Sequence, residues 1–179
     1  TRVSDSVEDW LEQLDDRFAV FRGVRAGDSY VDLVVVGPSG TFTIKASVVP
    51  NRGMPDGAKL RAAARERGEV SRLISSLLQR GEPAGVDAVI CLAPGHKPVV
   101  EQGGNGVWIV AAEKIVPALL KRSGRNGAIT RGVSQTGAFS ADAVDQFAIE
   151  KALAAYWKVR VRKTLDDYTA PLSNRPGSL

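Results

Sequence analysis

Residues 30–47, YVDLVVVGPSGTFTIKAS, constrain this chain more than any other stretch. Residues 30–36 and 41–46 are rich in β-branched and aromatic side chains, and GPSG between them supplies turn residues. The stretch therefore predicts two strands closed as a hairpin. One carboxylate, Asp32, falls inside the first apolar strand, and one ammonium, Lys45, falls near the end of the second. Opposite charges on paired strands read as a buried ion pair or as a working site. Period-two alternation puts Thr43, Lys45 and Ser47 on one face of the second strand, with Phe42, Ile44 and Ala46 on the other.

The flanking sequence supplies the layers. SVEDWLEQLDD spaces Val7, Trp10, Leu11 and Leu14 helically, with Ser4 or Ser6 as N-cap. FAVFRGV reads as a strand, followed by a turn at RAGDS. Residues 58–81 predict a long helix with Val70, Leu73, Ile74, Leu77 and Leu78 on one face, a bend at Gly68 and Gly81 as its C′ residue. GVDAVICLAP is a buried strand, GHKPVVEQGGNG a loop and VWIVAA a strand. EKIVPALLKRSG is a short helix with Pro117 near its first turn. The order α-β-β-β-α-β-β-α gives an α/β fold, a mixed central sheet flanked by helices. The expected boundaries are a core over 1–123, a Gly/Ser-rich connection over 124–140, an added amphipathic helix over 141–166 and a tail over 167–179. The stripe expected to dock that helix is Val144, Phe147, Ala148, Ala152, Ala155, Tyr156 and Val159.

Composition narrows the function classes. With 44% hydrophobic residues in 179, the chain can bury one core. It has no apolar run of about 18 residues to span a membrane and no charged-then-apolar leader. One cysteine, Cys91, makes no internal disulfide, which fits a reducing, cytoplasmic setting, and its apolar strand context reads as a buried small hydrophobe. Net charge is +4, distributed as −3 over residues 1–50, +3 over 51–100, 0 over 101–150 and +4 over the last segment. A basic second half permits a polyanionic partner.

The hairpin carries a resemblance. A first acidic helix, a strand with an embedded Asp, then VVVGPSGTFTI resemble the nuclease-related domain, a branch of the PD-(D/E)xK nuclease-like superfamily. The likeness extends over about residues 4–122 and implies a restriction-endonuclease-like core. In that family an Asp and a Glu on neighbouring strands hold a divalent cation such as Mg²⁺, and a Lys two positions beyond the Glu serves the attacking water. Carried over, Asp32 matches the strand Asp and Glu8 the first-helix Glu. Lys45, however, occupies the Glu position and Ser47 the Lys position, so Glu-x-Lys has become Lys-Ala-Ser. The expectation is a vestigial pocket without a metal cofactor, with Lys45 paired to Asp32. Asp56, Glu66 or Glu69 could reach that pocket as a displaced carboxylate and Lys59 as a displaced cation; Mg²⁺ would return only with such a rearranged nuclease site.

Outside the pocket, cations cluster on two helices. Lys59, Arg61, Arg65, Arg67 and Arg72 lie on the helix after MPDG, and Lys151, Lys158, Arg160, Arg162 and Lys163 on the last helix. A solvated face is the bland account; a nucleic-acid surface formed by Lys59, Arg61, Arg65, Lys158 and Arg162 is the sharper one, with Tyr156 and Trp157 available for stacking. The last helix could also serve a protein partner or a homo-oligomer. His96 lies in a loop without an identifiable acid–base partner, and QGGNG lacks dinucleotide-binding spacing. The expected function is a catalytically inactive nuclease-like module that binds DNA or a protein, the alternatives being a rearranged metal-dependent nuclease and a scaffold domain.

Overall fold

The hairpin forms, and a sheet extends from both of its strands. The computed structural model describes residues 3–14, 17–47, 53–93, 100–121 and 141–157. After helix α1 (Val3–Leu11) come β1 (Ala19–Ala26), β2 (Ser29–Gly37), β3 (Gly40–Ser47) and helix α2 (Gly57–Leu77). Strand β4 (Asp87–Leu92), the three-residue β5 (Val100–Gln102) and β6 (Trp108–Ala111) lead to α3 (Ile115–Lys121) and α4 (Ala141–Tyr156). The sheet order is β1-β2-β3-β4-β6-β5. Strands β1 to β3 form an antiparallel meander, β3, β4 and β6 run parallel, and β5 is antiparallel to β6. The α/β class with a mixed sheet between helices is therefore as expected. Among the described residues no helix is long and apolar enough to cross a membrane.

Alternation sorts the side chains into two cores. Leu33, Val35, Phe42 and Ile44 meet Val7 and Leu11 of α1 and Ile115 and Leu119 of α3 on one face. On the other, Phe21, Val24, Val31, Val34 and Val36 meet Val70 and Ile74 of α2 and Ile149 and Leu153 of α4. Leu33, Phe42 and Ile44 are fully buried, each contributing about 1.5–3 kcal/mol. Edge strand β1 turns Arg22 and Arg25 outward, which discourages pairing with another chain.

Two glycines shape the hairpin region. Gly37 closes the Pro38-Ser39 turn opposite Gly40, and a Cβ on it would lie 2.1 Å from the Phe18 ring. Gly23 adopts φ +63°, with the Tyr30 ring over its backbone. At Gly23 and Asp32 the β1–β2 ladder skips one pair and then resumes in the same register.

Several expectations are corrected. Ser4 and Ser6 lie inside α1 rather than capping it. The first turn is the two residues Gly27-Asp28, because β1 and β2 extend to Ala26 and Ser29. Helix α2 runs through Gly68 without a break, since tertiary packing of Ala63, Val70 and Ile74 outweighs one poor helix former. Its C′ residue is Gln79 (φ 54°), not Gly81: the Gln79 and Arg80 N–H groups donate to the Ser76 and Ser75 carbonyls in a Schellman arrangement. Gln79→Gly should accordingly raise stability by about 0.5–1 kcal/mol, read from the urea midpoint. Residues 100–102, expected in a loop, form β5 because the following turn is closed by Gly103 N–H donating to the Val107 carbonyl at 2.7 Å.

The largest correction concerns α4. The buried side is Gln146, Ile149, Glu150, Leu153 and Ala154, whereas Val144 and Tyr156 of the expected stripe are 45% and 48% exposed. Counting apolar residues chose the wrong face because the core offers Gln146 a partner, the Thr41 hydroxyl donating to its Oε1 at 2.6 Å. The helix docks on its own domain in either case. Val159, the connection at 124–140, residues 158–166 of the expected helix and the tail lie outside the described residues.

Candidate functional site

Strand β3 carries polar side chains toward α2 and α4 where an interior strand ordinarily carries apolar ones. Thr41, Thr43 and Ser47 are buried, and Lys45 stands between the last two. Period two places all four on one face while Phe42 and Ile44 enter the opposite core. Helix α2 crosses above with Ala63, Glu66, Val70 and Ile74 inward, so an acid replaces one apolar residue on its buried side. Lys45 Nζ donates to Glu66 Oε1 at 3.1 Å, with the Glu66 side chain 10% exposed and that of Lys45 34%. The structure thus pairs Lys45 with Glu66 rather than with Asp32.

The backbone opens at the same place. Pairing of β2 with β3 runs from Gly37↔Gly40 to Leu33↔Ile44 and stops. Continued by one residue, that register would set Asp32 opposite Lys45. Beyond Ile44, β3 keeps only its β4 partner, Lys45 lying beside Ile90 and Ser47 beside Leu92. Asp32 also falls at the skipped pair with Gly23, so it is absent from the ladder on both sides. It is half-buried, and among the described residues no hydrogen bond or ion pair holds its carboxylate. Alternation restarts here, with Val31 facing α2 and Leu33 facing α1.

The remaining candidates disperse. Glu8 Oε2 accepts from Arg22 Nε at 2.8 Å, on the α1 side and so across the sheet from Lys45. Asp56 is the N-cap of α2, accepting from Lys59 N–H at 2.9 Å. Glu69 pairs with Arg72. Of the three acids considered as displaced ligands, only Glu66 meets Lys45. Its sequence signal was the spacing Glu66, Val70, Ile74, which sets a carboxylate on the same stripe as two core residues.

The cations divide in the same way. Arg67 donates to the Asn105 carbonyl at 3.0 Å and fastens the turn before β6 to α2. Arg80 pairs with Asp145 of α4, which holds its guanidinium above the ordinary range. Lys59 is half-buried and engaged, whereas Arg61 and Arg65 are exposed one helical turn apart. Lys158, Arg162 and His96 lie outside the described residues. Tyr156 and Trp157 have ring centroids 4.4 Å apart, with Trp157 against the α4 core.

Cys91 is buried in the α1/α3 core, and burial first, then the nearby Glu113 carboxylate, push its thiol up to about 12. Its thiolate is therefore scarce at neutral pH, and it is no nucleophile. Native protein at pH 8 should resist thiol reagents until denaturant is added, and prompt labelling of the folded chain would contradict this burial.

What the arrangement can do is limited by charge. The Lys45 ammonium and the Glu66 carboxylate already satisfy each other. No family model, curated protein or solved structure matches this chain.

Proposed function

We propose that this chain is a nuclease-like module with a restriction-endonuclease-like core that binds nucleic acid through α2 and does not cut it. The single observation that carries the reading is the Lys45–Glu66 pair at the point where β2 and β3 part. The antiparallel meander followed by parallel β4, with Asp32 and Lys45 flanking the parting strands, supports the kinship.

A Mg²⁺ ion does not fit these residues. Two like unit charges about 4 Å apart repel by roughly 4 kcal/mol at an effective dielectric near 20, and a dication doubles the opposing charge. The Glu66 carboxylate is spent on the ammonium, and Asp32 alone is a weak oxygen site. The second reading, a metal-dependent nuclease with a rearranged site, is supported by Glu66, whose carboxylate lies 3.1 Å from the ammonium of Lys45, the residue that takes the Glu place of the resembled motif. A cytoplasmic location accords with a buried, reduced Cys91.

Binding would rest on phosphate contact. Arg61 and Arg65 are exposed guanidiniums of α2, a third, Arg72, being paired with Glu69; each phosphate neutralised contributes about −0.9 to the slope of log K against log salt. The double variant Arg61→Ala/Arg65→Ala should therefore weaken duplex binding and flatten that slope by about 2, measured by fluorescence anisotropy from 50 to 200 mM salt. Salt-insensitive binding, or none, would turn the assignment toward a protein partner or a scaffold.

A further inference from the structure

Beyond its first turn, the exposed residues of α2 are Arg61, Arg65, Arg72 and Ser76. Of the two acids on the helix, Glu66 is buried against Lys45 and Glu69 is paired with Arg72. Spacings of three and four residues set Gly68 between Arg65 and Arg72 in the same row. Nothing in the packing calls for a glycine there. Its backbone is ordinary helix, and among the described residues a Cβ on it would meet, beyond the helix backbone and its chain neighbours, only Arg72 Nη2 at 4.0 Å. Gly27 and Gly37 differ, since a Cβ would fall 2.0 Å from Glu69 Oε2 in one and 2.1 Å from the Phe18 ring in the other. Glycine in a helix interior destabilises it relative to alanine. Its effect at residue 68 is to leave bare backbone in the middle of an arginine row. Arg72 reaches back beside that bare patch, and Arg61 reaches back over Gly57, its Nη1 3.1 Å from where a Cβ would lie.

We propose that Gly68 seats a phosphodiester of a nucleic-acid backbone against α2, between the side chains of Arg65 and Arg72. The inference deepens the reading of α2 as a nucleic-acid surface and rests on it. Charge complementarity selects a polyanion, and a residue without a side chain lets that polyanion approach the helix closely. A guanidinium presents five N–H donors, so Arg72 can hold Glu69 and a phosphate oxygen together. Contacts to the sugar–phosphate chain fix position and carry no base information, so the ligand is nucleic acid of any sequence.

Fluorescence anisotropy of the full chain with labelled duplexes of two unrelated sequences tests the seat. Gly68→Ala and Gly68→Leu should unfold at the same urea concentration as the unsubstituted chain or a higher one, because the space is free. Gly68→Leu should nevertheless bind about tenfold more weakly and Gly68→Ala about threefold, equally for both sequences. Ser76→Leu, one turn beyond Arg72, is the control and should change binding by less than about twofold. If Gly68→Leu binds as the unsubstituted chain does while Arg61→Ala/Arg65→Ala binds less, the seat is overturned and the basic surface stands. If the unsubstituted chain does not bind, or binds without regard to those arginines, the nucleic-acid reading fails and the seat with it. A lowered urea midpoint in Gly68→Ala also overturns the proposal, since the fold itself would then demand the glycine.

Discussion

Lys45→Met is expected to destabilise the chain by about 3 kcal/mol, and Glu66→Leu by less than half as much. The asymmetry follows from burial. Removing the ammonium strands a carboxylate whose side chain is 10% exposed, whereas removing the carboxylate leaves an ammonium on a stem one-third exposed, which water can reach. The double variant Lys45→Met/Glu66→Leu should recover to within about 1 kcal/mol of the unsubstituted chain, because apolar residues of similar size can replace a buried pair without loss. Urea unfolding of the four proteins gives the coupling, expected at about 3 kcal/mol. Strictly additive losses would mean that the two charges do not depend on each other.

The second large effect belongs to the turn. Gly37→Ala should cost about 1–3 kcal/mol, since the added methyl enters the Phe18 ring, with nearest approach 2.1 Å, and the backbone or the ring must shift. Phe18→Leu in that background should restore part of the loss, while Phe18→Leu alone should destabilise. Thermal unfolding of the three variants checks this. If Gly37→Ala is silent, Phe18 does not press on the turn.

That contact also bears on what the sequence could reveal. Gly-Pro-x-Gly suggested a family, yet Gly37 and Gly40 answer to local demands, the Phe18 ring and a turn residue at φ +143°. The hairpin, the element order apart from β5, and the common face of Thr43, Lys45 and Ser47 were legible because period two and turn chemistry are local properties. The partner of Lys45 was not, because it depends on where α2 crosses the sheet. The side taken by Asp32 escaped alternation for another reason: Gly23 at positive φ and the skipped pair restart the pattern at that residue. On α4, apolar counting failed because Thr41 rewards a buried amide. Gln79 in the left-handed conformation had no sequence signal, as glycine is the usual marker.

The central claim is that Lys45 and Glu66 neutralise each other where β2 and β3 part, and that the chain therefore binds nucleic acid without a metal. It is tested most directly by incubating the protein with a labelled DNA duplex in EDTA, Mg²⁺ or Mn²⁺ and reading retention and strand integrity together. The account predicts equal retention in all three and intact DNA throughout. Strand cleavage that requires Mn²⁺ or Mg²⁺ and disappears in both Asp32→Ala and Glu66→Gln would contradict it.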